Sequence, residues 1–322
     1  MIHLPRSLKL IAVALAFGSG LAHAQSYPNR PVKIVVPFAA GGPADNYARF
    51  MAQRLSDELK QSFVVDNKPG AGSIIGTDFA AKSPADGYTL LMMSNTQTVN
   101  ESLIPKKPFA LMKDFVGIAP VNYSNLLLVV HPSVPVKNVS ELVALAKSKP
   151  GKLNYASSGN GTPYHMAGEL FKYMAGVDMT HVPYKGSSGA RTDIVGGQVD
   201  VMFDAETTMA EFARNGQVRM LGATGLSRST NLPDMPTVAE TVPKYEATIW
   251  LGLMAPKGTP SEIVTKLNAE IRKIVNNPDV KTAWAKQGAV PLSMSVSEFE
   301  QYLNADIAKW ANIVKVSGAK AD

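Results

Sequence analysis

The chain has 322 residues, no cysteine and a formal net charge of +6 spread without basic runs. A disulfide framework, a thiolate metal site and a cysteine nucleophile are thereby excluded, and the scattered Lys and Arg give no footprint for nucleic acid, only a mild bias toward anionic ligands. A hydrophobic content of 45% lets burial supply the stability of two lobes of ordinary domain size.

Residues 1–24 read as an export signal: Arg6 and Lys9 precede the apolar run Leu10 to Phe17, and Ala22-His23-Ala24 has the small-x-small form of a signal-peptidase site. Cleavage is expected before Gln25, leaving a soluble periplasmic protein, because no later stretch approaches the roughly 18–20 uninterrupted apolar residues of a spanning helix. Lys33 to Pro37 is predicted as a buried strand. A helix follows, with Ala44, Tyr47, Ala48, Met51, Leu55 and Leu59 forming one apolar stripe. Phe63 to Asp66 is the next strand, "NKPGAGSIIGTDFAAKSPADG" a Gly-rich turn with a short helix, and Tyr88 to Met93 a third strand ending in the polar "SNTQT". Strands and helices alternating at this spacing imply βαβ units and a parallel sheet.

The same grammar restarts about 120 residues on. Leu126 to Val130 is a strand, and Ser140 caps a helix over Glu141 to Lys149 that Pro150-Gly151 ends. "KLNYASSGNGTPYHMAGELFKYM" then repeats the form of "KIVVPFAAGGPADNYARFMAQRL", with Gly42 and Gly161 in matching places, and "YKGSSGARTDIVGGQVDVMFD" mirrors the second segment. Val218 to Thr224 is a further strand, "SRSTNLPDMPTVAETVPKYEA" a Pro-rich loop, and "TIWLGLMAP" a strand returning to the first half. Helices are predicted from Pro260 to Val275, Pro278 to Gln287 and Ser297 to Val316. The expected architecture is a two-lobed α/β fold with a ligand cleft between the lobes. Lobe 1 takes 25–124 plus 247–322, lobe 2 takes 125–246, and the hinge lies near Asn122 to Leu126 and Ala247 to Trp250.

Small residues in Phe38-Ala39-Ala40-Gly41-Gly42 permit close approach, and free N–H groups at the following helix start favour an anion. The loop lacks the ending of a P-loop and the spacing of a dinucleotide fingerprint, so no cofactor is expected. "GAGSIIG" offers Gly72 and Ser73 to the cleft. "SSGNGTPYH" offers hydroxyls at Ser157, Ser158 and Thr162 with flexible backbone at Gly159, without the G-x-S-x-G elbow of an esterase. His165, in the first turn of its helix, reads as a neutral hydrogen-bonding residue. His131, His165 and His181 are isolated, which predicts no metal site. Asp45 is either a first-turn carboxylate satisfying the helix dipole or a ligand contact, and Asp204 either meets a ligand or caps the next helix. Phe38, Tyr184 and Trp250 are candidates to pack on a ligand's carbon body, or simply core.

These loops, in order over nearly the whole mature chain, are similar to those of the Bug family of extracytoplasmic solute-binding proteins, receptors of tripartite tricarboxylate transporters. The segments carrying the likeness are "YPNRPVKIVVPFAAGGPADNYAR", "VVDNKPGAGSIIGTDFAAKSPADGYTLL", "YASSGNGTPYHMAGELF", "VPYKGSSGARTDIVGGQVDVMFD" and "WLGLMAPKGTP". The resemblance implies a type II periplasmic-binding fold, no catalysis, and closure on a small carboxylate gripped by the Pro37 to Asp45 and Ser157 to Thr162 loops, partly through water. Ligand identity is then expected to depend on Ser94, Asn95, Thr96, Asp204 and Thr207, and permease subunits of a secondary transporter are the implied partners of a monomer. Pro43-Ala44 departs from the small residue and threonine common before the Asp, so no side-chain hydroxyl contact is expected there. Four charge-assisted hydrogen bonds at about 1.5–3 kcal/mol and two helix ends at about 0.3–1 kcal/mol reach micromolar affinity without a buried arginine. The competing readings are an exported hydrolase using Ser157 or Ser158 with His165, and a ligand-dependent partner of a sensor kinase.

Overall fold

The computed structural model describes residues 27–321; the export signal and its cleavage point lie outside the described residues. β1 (Val32–Val36), α1 (Pro43–Leu59), β2 (Phe63–Asn67), α2 (Ile74–Ala81) and β3 (Thr89–Ser94) form a βαβαβ unit whose parallel strands run in the order β2-β1-β3. Successive side chains of a strand face opposite ways. Ile34, Val36, Leu90 and Met92 therefore join the core beneath α1, while Val35, Leu91 and Met93 join a second core with Ala80 of α2. Cover on both faces is why these strands read as unbroken apolar runs.

The chain continues through α3 (Asn95–Leu103), the short α4 (Leu111–Asp114), β4 (Phe115–Val130) and α5 (Val139–Ser148). It then repeats the unit as β5 (Asn154–Ser157), α6 (Pro163–Ala175), β6 (Thr180–Pro183), α7 (Ser187–Val195) and β7 (Val201–Ala205), in strand order β6-β5-β7. The two halves thus share topology as well as sequence rhythm. Their helix starts correct the pairing of glycines, since Pro43 and Pro163 both stand first in their helices. Gly161 therefore corresponds to Gly41, both with left-handed backbone (φ 74° and 83°), and Gly42 corresponds to Thr162. α8 (Glu206–Arg214), β8 (Arg219–Ala223), β9 (Thr248–Pro256), α9 (Ser261–Asn276), α10 (Pro278–Ala285), β10 (Ala289–Pro291) and α11 (Val296–Ser317) complete the chain.

β4 joins the two halves. It is 16 residues long, where the sequence reading had a strand only at Leu126 to Val130. Its first part pairs with β9 and β10, its second with β7 and β8, and the change of partner falls between Asn125, opposite Thr248, and Leu126, opposite Ala205. Thr224 pins this crossing: its hydroxyl accepts the Leu126 N–H (2.8 Å) and donates to the Ala247 carbonyl, and its own N–H donates to the Leu126 carbonyl (3.0 Å). One further local expectation is corrected. Asn138, not Ser140, caps α5, accepting the Glu141 N–H at 2.9 Å. The "SNTQT" segment starts α3 as a buried capping box, with Ser94 and Gln97 exchanging bonds with backbone N–H groups.

Candidate ligand-binding site

Four helices begin around one cavity. α1 contributes Gly42, Pro43 and Ala44; α3 contributes Ser94 and Thr96; α6 contributes Pro163 and Tyr164; α7 contributes Gly186 and Ser187. Phe38, Ala39, Ser158 and Ile249 close the remaining sides of a space of about 340 Å³, its opening included. α1 and α7 start at Gly42 and Gly186 without an N-cap side-chain bond, among the described residues. Each helix start carries roughly half a positive charge. Four of them around one small cavity favour negative charge there, with no lysine or arginine among its lining residues.

The first loop is shaped peptide by peptide. Asp45 lies outside the cavity: its carboxylate accepts the Gly41 N–H (3.0 Å), the Asn67 amide (3.0 Å) and the Arg49 guanidinium (3.0 Å), folding the loop back on α1. Burial acts to raise this carboxyl, and the bonds from Arg49, Gly41 and Asn67 outweigh it and hold it below the ordinary range. Across the loop, Ser188 donates to the Ala40 carbonyl (3.0 Å), Arg191 Nη2 to the Gly41 carbonyl (2.6 Å), and the Ala39 N–H to the Lys185 carbonyl (3.2 Å). The Ala40–Gly41 peptide is thus engaged at both ends. In the Gly41–Gly42 peptide only the carbonyl is taken; among the described residues nothing accepts the Gly42 N–H.

Arg191 is the residue that sequence reasoning missed. It is buried in α7, one turn from Ser187, whose Oγ it contacts at 3.0 Å, and it pairs with the fully buried Asp204 at 2.8 Å. A buried arginine is present, although affinity was reckoned without one, and its charge is engaged by Asp204 and the Gly41 carbonyl. Burial pushes the Asp204 carboxyl above the usual carboxylate range against the pull of Arg191, and the Ala205 N–H also supports it at 2.9 Å. Only the small residues of "KGSSGAR" hinted at Arg191, because its partners lie 13 and 150 positions away.

The second loop is held from within. Ser157 Oγ accepts the Gly159 N–H (3.1 Å), and Thr162 donates to the Gly159 carbonyl (2.7 Å). His165 Nδ1 accepts the Gly161 N–H at 3.2 Å. Burial, with smaller contributions from His181 and Lys172, brings His165 down to about 3, so it is neutral for a stronger reason than the helix dipole. The histidine beside Ser157 is His181, 2.6 Å away, and neither residue lines the cavity. A Ser157–His165 pair is thus not formed.

Of the residues singled out from sequence, Phe38, Gly42, Ser94, Thr96 and Ser158 meet at the cavity. Ala40 and Gly41 shape its edge through their carbonyls. Gly72 packs against the Asn160 carbonyl across the loops, and Ser73 accepts from Gln97 at 3.1 Å. Asn95 donates to the Thr248 carbonyl at 2.9 Å. Tyr184 donates to Asp193, away from the cavity, and burial raises its hydroxyl to about 12. Trp250 is core, donating to Asp306 at 3.2 Å. Thr207 lines a second, wider pocket with Tyr47, Phe50, Glu206 and Trp284. Among the described residues no group of His, Asp and Glu fit to hold a metal occurs, and no helix is long and apolar enough to cross a membrane.

Two βαβαβ halves joined by a shared strand, with helix starts of both halves facing one crevice, define a two-lobed solute-binding protein of the periplasmic type. The model of the tripartite tricarboxylate transporter family receptor matches residues 47–319, and the chain belongs to that family. It is 37% identical to the protein BugT of Bordetella pertussis over 99% of both chains. Among solved structures it resembles an R. palustris protein with adipate, with a TM-score of 0.89 at 35% identity over 91% of this chain and 99% of that one. MatC from Rhodopseudomonas palustris with bound malate gives a TM-score of 0.85 at 32% identity, covering 89% and 100%.

Proposed function

We propose that the chain captures a small carboxylate between its lobes and delivers it unaltered to the membrane subunits of a secondary transporter. The convergence of four helix N-termini on one cavity carries this reading. Each contributes about 0.3–1 kcal/mol toward an anion, up to about 2 where partly buried. With two or three charge-assisted hydrogen bonds at about 1.5–3 kcal/mol each, after ordering costs, this accounts for the roughly 8 kcal/mol of micromolar binding. The relatives with adipate and malate support a carboxylate as the ligand class.

In this reading Gly42, Ser94, Thr96, Ser158 and Ser187 meet the acid group, with Phe38, Tyr164 and Ile249 against its carbon body. The mature, exported protein begins at Gln25 and works as a monomer. Lobe 1 comprises residues 25–124 and 247–322, lobe 2 residues 125–246. The change of β4 partners beside Thr224 supports this division and a hinge at the same place. Carriage rather than turnover is favoured because Ser157 engages the loop and His181 instead of the cavity.

Native mass spectrometry of freshly purified protein, followed by thermal shift and calorimetry over mono-, di- and tricarboxylates and amino acids, tests the proposal. At least one acid is expected to stabilise the protein by about 2.7 kcal/mol at a hundredfold excess over Kd. No response to any acid, or recovery of a converted product, would end it.

A further inference from the structure

We infer that Arg191 is a positioning residue that strengthens and aims the Gly42 N–H through the intervening peptide bond, and so sets the preference of the site for an ionised carboxylate over its neutral isostere. The inference rests on the proposed carboxylate site and names what tunes it. The carbonyl of Gly41 and the N–H of Gly42 belong to one trans peptide unit, so they point in opposite directions. Arg191 Nη2 holds that carbonyl at 2.6 Å from the second half of the molecule. The N–H is thereby turned the other way, at a residue that lines the cavity and whose N–H takes no partner among the described residues.

A cation on a carbonyl oxygen draws electron density through the amide and makes its N–H a better donor, and hydrogen bonds linked in series reinforce one another at low local dielectric. The guanidinium cannot wander. Asp204 fixes Nη1 at 2.8 Å and Ser187 Oγ fixes it at 3.0 Å, while the arginine itself is 6% exposed. The neighbouring peptide is locked independently, Ser188 holding its carbonyl and Asp45 its N–H, so Gly41 and Gly42 cannot flip to relieve the constraint. Gly41 adopts φ 83°, a conformation open to glycine and strained for other residues. Arg191 therefore reaches the ligand as a polarised amide and not as a second ion. A full cation in the cavity would grip any anion; a polarised N–H adds directionality.

The test uses acetate as minimal carboxylate and acetamide as its neutral isostere, titrated into the full mature chain while backbone amide shifts are followed. In the wild type, acetate is expected to move the Gly42 and Ala44 amides and acetamide to act at least tenfold more weakly. Arg191→Met is expected to shift the Gly42 amide upfield in the free protein, to weaken acetate at least tenfold and to narrow the acetate-to-acetamide ratio. Arg191→Lys, which keeps charge without the fork, is expected to fall between. Arg191→Met with Asp204→Asn removes the unpaired carboxylate, so it keeps the test alive if the single variant does not fold. An unchanged Gly42 shift and acetate-to-acetamide ratio in a folded Arg191 variant would overturn the inference and leave the carboxylate site standing. If acetate moves no amide at the cavity in the wild type, the carboxylate site itself fails, and the inference with it.

Discussion

Gly42→Val places a side chain where the acid group is proposed to sit. Gly42 has φ −90°, a conformation that valine adopts without strain, so the backbone tolerates the change. A Cβ there lies 3.0 Å from Ser187 Oγ, and the two γ-methyls of valine extend from it among the residues lining the cavity. The bound acid loses the Gly42 donor and its approach to the start of α1. One charge-assisted bond of about 1.5–3 kcal/mol plus a helix end of about 0.3–1 kcal/mol gives a loss of roughly 2–4 kcal/mol, or about 30- to 1000-fold in Kd. Valine is also a poorer N-cap than glycine, which costs the fold about 1 kcal/mol and lowers Tm by roughly 2–4 °C. Calorimetry with the acid that most stabilises the wild type, paired with thermal unfolding of the free proteins, separates the two effects. Binding within threefold of wild type in a folded Gly42→Val protein would show that the acid group lies elsewhere and would refute the reasoning.

Three further outcomes follow from the same geometry. Arg191→Met leaves the buried Asp204 without its cation, with only the Ala205 N–H and the hydroxyls of Thr208 and Tyr164 beside it, so urea denaturation at pH 7.5 should show a loss of about 3–5 kcal/mol, most of it recovered when Asp204→Asn is added. Asp45 has a depressed folded pKa, so its contribution is present above the ordinary Asp value of about 3.9 and lost as pH falls through the folded value; Asp45→Asn should cost about 1–2 kcal/mol at pH 7 and flatten the acid limb of the stability curve there. His165, held neutral down to about 3, takes up protons in the unfolded chain first, so it costs stability as pH falls below about 6.5; His165→Gln should reduce that slope between pH 6.5 and 3, measured by denaturation across the range.

What the sequence disclosed and what it hid divide along the range of the interaction. Glycines between a buried strand and a helix declare a turn that approaches something closely, and Gly42 is at the cavity. The stripe Ala44 to Leu55 declares a buried face because helical periodicity is local. The repeated βαβαβ grammar was legible for the same reason, down to a slip of one residue between Gly42 and Gly161. Asp45 was ambiguous because a first-turn carboxylate satisfies its own loop or a ligand with the same chemistry, and only three-dimensional partners decide. "SNTQT" has no apolar periodicity, so its burial as a capped helix start left no trace in the pattern. Tyr164, a first-turn aromatic, looks like any core residue until its helix is seen to begin at the cavity. Arg191 was invisible because its meaning depends on a carboxylate in the next strand and a carbonyl in the other half.

The placement of these partners bears on how binding and closure are linked. In the first loop, the proposed lobe 2 donates to the carbonyls of Ala40 and Gly41 and accepts the Ala39 N–H at its Lys185 carbonyl, while the outward amide and the helix starts are left for the proposed acid. Those three cross-lobe bonds, at about 1 kcal/mol net each and somewhat more for the guanidinium, sum to roughly 3–4 kcal/mol, against the ordering of two lobes about a hinge. That sum falls short of the roughly 5.5 kcal/mol needed to carry a two-state equilibrium from 1:99 to 99:1. In the proposed closure, an acid whose oxygens accept from α1 and α3 on one side and α6 and α7 on the other supplies the remainder, because this arrangement presents all four helix starts at once. On this proposal the protein-to-protein clasp sets how far the free chain closes by itself, and the ligand sets the rest. Weakening the clasp at Ser188 should thus reduce affinity for every acid by a common factor, whereas changes at the cavity wall should alter the ranking among acids.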